Sequence, residues 1–121
     1  MSKIIYARTH ADFLNQVFGT NYKQYMRGRW KYNDSTWVWM VYMDGKVRND
    51  WRNRIVSNDE IWEERVCGDT DYHGEPEKPY RIVVRIVDTS RGREYHILGL
   101  YKFDFESCTS QKNVLRKIGE F

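Results

Sequence analysis

The stretch that decides the fold runs from Tyr80 to Asp104. It reads YRIVVRIVD over Tyr80–Asp88, TSRGR over Thr89–Arg93 and EYHILGLYKFD over Glu94–Asp104. Both apolar segments are rich in β-branched and aromatic residues, which favour strands. The short polar segment between them contains Gly92, so the pattern predicts an antiparallel hairpin. Gly99 inside the second strand predicts a bulge, or a point where another backbone or a ligand comes close.

Further strands are expected upstream of this hairpin. Ser35–Met43 (STWVWMVYM) is apolar on both faces, which predicts a central strand covered on both sides. Asp44-Gly45 is read as a turn, as is Asn58-Asp59. The remaining expected elements are strands at Trp51–Ser57 and Ile61–Cys67, and a polar loop at Gly68–Pro79.

Helical patterns occur near the N-terminus. Thr9 is a candidate N-cap, and an apolar stripe that includes Phe13 and Val17 predicts a helix ending at Gly19. A second helical turn is expected within Asn21–Arg27. The tail, Gln111–Phe121, fits a helix or a final strand.

These elements predict one α+β domain over residues 1–121. The expected architecture is one or more N-terminal helices packed on a curved, mostly antiparallel sheet of five or six strands, or on a small open barrel. A chain of 121 residues can enclose one hydrophobic core.

Composition bounds the class of protein. No apolar stretch reaches the ~20 residues that cross a bilayer, and no signal peptide is recognised at the N-terminus. Neither Cys67 nor Cys108 has a neighbour at CxxC spacing. Two free thiols in a cytoplasmic protein are therefore expected in preference to a structural disulfide. No nucleophile motif, zinc spacing or phosphate loop is found. We therefore expect no catalytic residue, metal or cofactor, and a protein that is not an enzyme.

The charges are unevenly distributed along the chain. Met1 to Val56 holds ten Lys and Arg against four Asp and Glu, whereas Ser57 to Lys78 holds two against eight. The last segment, from Pro79 onward, holds eight against five. Such a distribution can steer a polyanion to the basic part of the surface, or it can reflect solvated faces alone.

Two basic segments, Arg27–Tyr32 and Lys46–Ile55, mix cations with aromatic side chains, and the second also contains the amide of Asn53. Together they are the candidate nucleic-acid surface. Cations reach phosphates, indoles stack on bases and amides pair with base edges. Core indoles flanked by surface charges would give the same pattern. The candidate residues are Arg29, Trp30, Lys46, Arg48, Trp51, Arg52, Asn53 and Arg54.

A family resemblance follows from several segments together: WMVYMDG, WRNRI, an I-x-E-E step, RIVVRIVD and YHILGLYKFD. Over about Ser35 to Ile118 the chain resembles the PUA-like and SRA-like domains of modification-dependent restriction systems. The resemblance implies binding of duplex DNA, with a modified base extruded into an aromatic pocket. It implies pocket positions at Trp37, Trp39, Trp51, Asn53 and Tyr101, with Asp44 or Asp50 as the polar reader.

Two alternatives stay open. The same exposed aromatic and arginine residues would suit a small phage or mobile-element inhibitor that binds a host defence protein. A metal-dependent nuclease would use the acidic residues Asp59, Glu60, Glu63 and Glu64. If the strand at Ile61–Cys67 forms, however, Glu63 and Glu64 point to opposite faces. The favoured partner is nucleic acid, DNA before RNA.

Overall fold

The computed structural model describes residues 3–66 and 76–121. They form one short helix and nine strands. The elements are β1 (Lys3–Tyr6), α1 (His10–Phe18), β2 (Arg29–Asn33), β3 (Thr36–Val41), β4 (Asp44–Arg48), β5 (Trp51–Ser57), β6 (Glu60–Arg65), β7 (Tyr80–Thr89), β8 (Gly92–Phe103) and β9 (Lys112–Gly119). The helix α1 is too short and too polar to span a membrane, and it is the only helix among the described residues.

The strands form one open, mixed sheet in the order β2-β3-β7-β8-β9-β6-β5-β4, and β1 pairs with β8 beside this path. β3 and β7 run parallel, with Thr36 opposite Tyr80, whereas the other paired strands in the described part of the chain are antiparallel. The excursion between β3 and β7 contains β4, β5 and β6. We call β4–β6 the wing.

The predicted hairpin is confirmed as β7 and β8, which pair from Tyr80↔Lys102 to Thr89↔Gly92. The register shifts opposite Val83 and Val84, so that β8 bulges beside Gly99. Gly99 has a φ of 139°, and a Cβ built on it would lie 2.7 Å from the Gly119 carbonyl oxygen. The expected bulge and the expected close backbone approach therefore both occur.

The helix begins and ends as its sequence predicts. The Thr9 side chain accepts a hydrogen bond from the Asp12 amide at 3.1 Å, which satisfies one of the free donors of the first turn. Gly19 ends the helix in the left-handed conformation, with φ of 69°. Phe13 and Leu14 are completely buried against the sheet.

The sheet has a core cluster on each face, because alternate residues of its central strands point to opposite sides. Beneath α1 lie Val38, Met40, Ile82, Val84 and Tyr95, among others. On the other face, Trp39, Val83 and Tyr101 pack with Ile61 of the wing and Leu115 of β9. Strands distant in the sheet order thus meet in the second cluster, so the sheet is curved with this face on the inside.

The fold class needs correction. Nine strands and one helix make the described chain β-dominated, not an α+β fold with several helices on five or six strands. The second helical turn expected within Asn21–Arg27 is wrong, because this segment is irregular and enters β2. The tail forms the strand β9. It pairs with β6 along one edge and with β8, the strand that contains Gly99, along the other.

The turn expected at Asp44-Gly45 is also wrong, since β4 begins there. The chain reverses instead at Asn49 and Asp50, with φ of 51° and 68°. Asn and Asp are the non-glycine residues that best tolerate this left-handed region, so the β4–β5 hairpin forms around them. Most of the polar loop expected at Gly68–Pro79 lies outside the described residues. Cys67 lies outside them as well.

Candidate functional site

The inner face opens into a cavity between the central sheet and the wing. It has a volume of about 440 Å³ and is lined by Trp39 and Val41 of β3, by Trp51 and Asn53 of β5, and by Glu63 of β6. We call it the Trp39 cavity. A second, more open hollow of about 650 Å³ shares Trp39 and Trp51 and extends the cavity outward. Pockets of ~300–1,000 Å³ are typical of sites for small organic groups.

The two indoles of the cavity come from different parts of the sheet. Trp39 is 6% exposed, and the guanidinium of Arg81 lies 4.5 Å from its ring centroid. Trp51 is half-buried at the start of β5, where Arg65 lies 5.2 Å from its ring centroid. Aromatic walls with adjacent cations favour a flat, electron-rich guest.

Asn53 carries an unusual polar atom. Its Oδ1 is buried and accepts no hydrogen bond within the described residues. A buried acceptor without a donor costs about 1–3 kcal/mol, so native structures rarely keep one without a functional reason. Because Asn53 lines the Trp39 cavity, this unpaired acceptor belongs to a residue of the cavity wall.

Glu63 forms the polar floor beside Asn53, its cross-strand partner. Its Oε1 accepts from Asn113 Nδ2 at 3.0 Å and from Arg81 Nη1 at 3.3 Å. Asn113 is 1% exposed and Arg81 is 4% exposed. The carboxylate is therefore held in position as a fixed acceptor in the cavity wall.

The side of the cavity beneath α1 is held by a hydrogen-bonded group. The Tyr42 hydroxyl donates to Asp88 at 2.6 Å and accepts from Arg93 Nη2 at 3.0 Å. Arg93 Nε also donates to Asp88 at 2.9 Å. These two donors lower the pKa of Asp88, and burial together with the bond to Asp88 raises the pKa of Tyr42. Burial and the charge of Arg93 lower the pKa of His10, so its neutral form is favoured.

Five of the predicted site residues line the Trp39 cavity: Trp39, Lys46, Arg48, Trp51 and Asn53. Arg29 lines the outer hollow, where its guanidinium also lies 4.7 Å from the Trp37 ring centroid.

Other predicted residues lie elsewhere. Trp30 packs against Phe18 on the helix side, at a centroid distance of 5.0 Å, and its Nε1 donates to the Tyr22 hydroxyl. Tyr101 is buried in the inner core cluster. Trp37 lies beneath Arg29 and Lys78, outside the Trp39 cavity.

Arg52 and Arg54 lie on the outer face of the wing. Both bind the carboxylate of Glu64, at 3.3 Å and 2.8 Å. Arg52 pairs with Glu64 and Asn53 with Glu63, so consecutive β5 residues alternate between the faces. The expectation that Glu63 and Glu64 point to opposite faces is thereby confirmed.

The two aspartates expected to read a base are both engaged by arginines. Asp44 accepts from Arg48 at 2.8 Å through both carboxylate oxygens, which holds its pKa well below its usual range. It begins β4, opposite Arg54, and is not among the residues that line the Trp39 cavity. Asp50 lies in the β4–β5 turn, 3.9 Å from Arg65.

Glu63 was missed as a cavity residue, although a signal for it existed. It lies two residues after Ile61, which is completely buried, so strand alternation places both on the inner face. Tyr42, Arg93 and His10 were missed as well. They come from three separate parts of the chain, and no local pattern joins them.

The comparisons with known proteins agree with this geometry. No curated protein sequence is significantly similar to the chain. The solved structure of the 5-hydroxymethylcytosine-specific restriction enzyme AbaSI matches with a TM-score of 0.72 and 22% sequence identity. That match covers 98% of the present chain and 39% of AbaSI, so the chain spans about two fifths of that enzyme. At this identity the likeness concerns the fold.

The family model for the SET and RING associated domain matches residues 1–120, which is nearly the whole chain. The resemblance to SRA-like domains, inferred from the strand segments, is therefore confirmed. The chain belongs to the SRA (SET and RING associated) domain family of modified-DNA readers.

Proposed function

We propose that the chain reads a modified cytosine in DNA, with the base extruded into the Trp39 cavity. Trp39 and Trp51 would stack on the base, and Asn53 Oδ1 would accept a hydrogen bond from its exocyclic amino group. The chain would act as a reader, with no catalytic residue of its own. Family membership supports the DNA-reading part of this proposal.

The buried, unpartnered Asn53 Oδ1 is the observation that carries the proposal. An acceptor needs a donor, and the Watson–Crick edge of cytosine presents its N4 amino group, whereas thymine presents the O4 carbonyl. Glu63, held by Arg81 and Asn113, adds a second fixed acceptor to the same wall. The cavity is thus complementary to an amino-bearing base, and a carbonyl there would face acceptors.

The indole walls supply the stacking energy. Enzymes and readers that extrude a base lose its stacking in the duplex and regain it on aromatic side chains. Stacking of one base on an aromatic residue contributes about 1–3 kcal/mol. The similar enzyme AbaSI is described as specific for 5-hydroxymethylcytosine, and that base is the natural first ligand to test here.

The comparisons do not support the alternative of an inhibitor that binds a host defence protein. The nuclease alternative is also not favoured, because the acidic residues it needs are dispersed. Glu63 lies on the inner face, whereas Glu64 binds arginines on the outer face and Glu60 pairs with Arg116.

The test measures binding to duplexes that differ at one base, by fluorescence anisotropy. They carry cytosine, 5-methylcytosine, 5-hydroxymethylcytosine or 5-hydroxymethyluracil in the same sequence. We expect the hydroxymethylcytosine duplex to bind more tightly than the hydroxymethyluracil duplex by roughly 5- to 150-fold, since one base-edge contact is worth about 1–3 kcal/mol. Equal binding of all four duplexes would show that no base is read.

Two variants locate the reading site. Trp51→Ala should weaken binding of the modified duplex by about 5- to 150-fold, whereas Trp62→Ala should not. Trp62 is a matched control because it lies on the outer face of the adjacent strand, beneath Arg54 and Lys112. Asn53→Leu should remove the preference for cytosine over uracil, and Asn53→Asp should keep it. Loss of binding in Trp62→Ala alone would place the DNA on the outer face and refute the cavity assignment.

A further inference from the structure

A second concave site adjoins the Trp39 cavity. It has a volume of about 310 Å³ and lies between β4 and the second half of β7. We call it the Arg85 cleft. Arg85 lines the cleft and not the Trp39 cavity, whereas both sites are lined by Tyr42, Lys46, Arg48 and Ile86. One tyrosine ring and two cationic side chains therefore form a common wall.

The carboxylates of the cleft are already neutralised by the protein. Asp44 is held by Arg48 through both oxygens at 2.8 Å. Asp88 accepts from Tyr42 and Arg93 at 2.6 Å and 2.9 Å. Neither carboxylate is therefore available to pair with a further cation of the cleft without losing these bonds.

Two cations of the cleft remain uncommitted. The side chains of Lys46 and Arg85 form no hydrogen bond or ion pair within residues 3–66 and 76–121. Arg85 is half-buried on β7 beside Val41, on the inner face of the sheet. On the β8 side of Arg85, Glu94 is bound by His96 at 2.8 Å. A concave site with two free cations and satisfied carboxylates is complementary to an anion.

We propose that the Arg85 cleft binds a backbone phosphate next to the extruded nucleotide. The inference rests on the proposed function, because the Trp39 cavity fixes where the base lies. A base and its own phosphate are separated by one sugar, and the two concave sites are separated by the Tyr42 wall. Arg85 can hold two phosphate oxygens through its guanidinium, and Lys46 adds a point charge.

The test compares salt dependence of DNA binding in the wild type, Arg85→Gln, Arg85→Lys and Arg91→Gln. Arg91 is a matched control, since it is an exposed arginine in the β7–β8 turn and lies outside the cleft. Each phosphate contact contributes about 0.9 to the slope of log affinity against log salt concentration. Arg85→Gln should reduce the slope by about that amount and weaken modified and plain duplexes alike, whereas Arg85→Lys and Arg91→Gln should change it little.

A second arm identifies the phosphate. Duplexes carry a neutral methylphosphonate on either side of the modified base. On one side of the base, the neutral methylphosphonate should weaken DNA binding by the wild type. At that same position it should not weaken binding by Arg85→Gln. The same loss in both proteins would refute the cleft as the phosphate site, as would an unchanged slope in Arg85→Gln.

The outcomes separate the two proposals. If the wild type binds modified and plain duplexes equally but Arg85→Gln still lowers the slope, the cleft binds DNA phosphate and the base-reading proposal fails. Base discrimination can be present while Arg85→Gln changes neither the salt slope of DNA binding nor the loss of binding caused by the methylphosphonate. In that case the cleft proposal fails and the base-reading proposal stands. Competition by inorganic phosphate or a free mononucleotide, with no change in DNA slope, would mean that the cleft takes a free phosphate and would also overturn it.

Discussion

Replacing Gly99 with alanine should destabilise the domain by more than backbone strain alone can explain. Gly99 lies in β8 with φ of 139°, a conformation that residues with a side chain rarely adopt. The added Cβ would lie 2.7 Å from the Gly119 carbonyl oxygen and 2.7 Å from Lys117 Cε. The lysine methylene can move, but the carbonyl belongs to the backbone of β9. The two strands would therefore have to separate.

A second glycine allows the two costs to be separated. Gly92 has φ of 128°, close to that of Gly99, but nothing lies within 4 Å of a Cβ built on it. Gly92→Ala should therefore cost about 1–3 kcal/mol from backbone strain. Gly99→Ala should cost that amount and about 1–3 kcal/mol more, because forcing atoms into a closely packed region shifts the backbone.

Urea unfolding followed by tryptophan fluorescence measures both variants. With a slope of about 1–3 kcal/mol per molar urea, the extra cost lowers the unfolding midpoint of Gly99→Ala below that of Gly92→Ala by roughly 1 M. Equal midpoints for the two variants would refute the reasoning, since contact with Gly119 would then contribute nothing. A lower midpoint for Gly92→Ala would refute it as well.

Two further predictions concern the helix that covers the sheet. Thr9→Ala removes the acceptor for the Asp12 amide and should lower the free energy of unfolding by about 1 kcal/mol, measured by urea unfolding; Thr9→Ser should restore it. His10 is held neutral by burial and Arg93, so the unfolded chain binds more protons near its ordinary pKa of about 6.5. Stability should therefore fall as the pH drops from 7.5 to 5.5, and less steeply in His10→Gln; identical pH profiles would contradict this.

Local patterns predicted the hairpin and the helix ends because their causes are local. The β-branched runs around Gly92 and the capping pair of Thr9 and Asp12 lie within a few residues of each other. The order of the strands could not be predicted in the same way. β3 is apolar on both faces, which indicates a central position, but nothing in its sequence specifies β7 as a parallel neighbour.

The candidate site was predicted in part for a similar reason. Trp51 and Asn53 share a face because they are two residues apart in a strand, and both line the cavity. The same alternation places Arg52 and Arg54 on the other face. The residues of the Lys46–Ile55 segment should therefore have been assigned to two different faces of the sheet. The different positions of Trp30 and Trp39 could not be predicted. A tryptophan in a strand has the same local sequence pattern whether it packs on a helix or lines a cavity.

The parallel pairing of β3 with β7 has a consequence for biosynthesis. Thr36 has its partner in Tyr80, beyond the entire wing, so this ladder cannot close while the ribosome has released only the first strands. Until then Val38 and Met40, which are covered in the finished domain, have no β7 against which to pack. The nascent chain therefore passes through an interval in which an apolar strand is open to chaperones or to other nascent chains, and mutations that slow closure of this ladder should reduce the yield of protein.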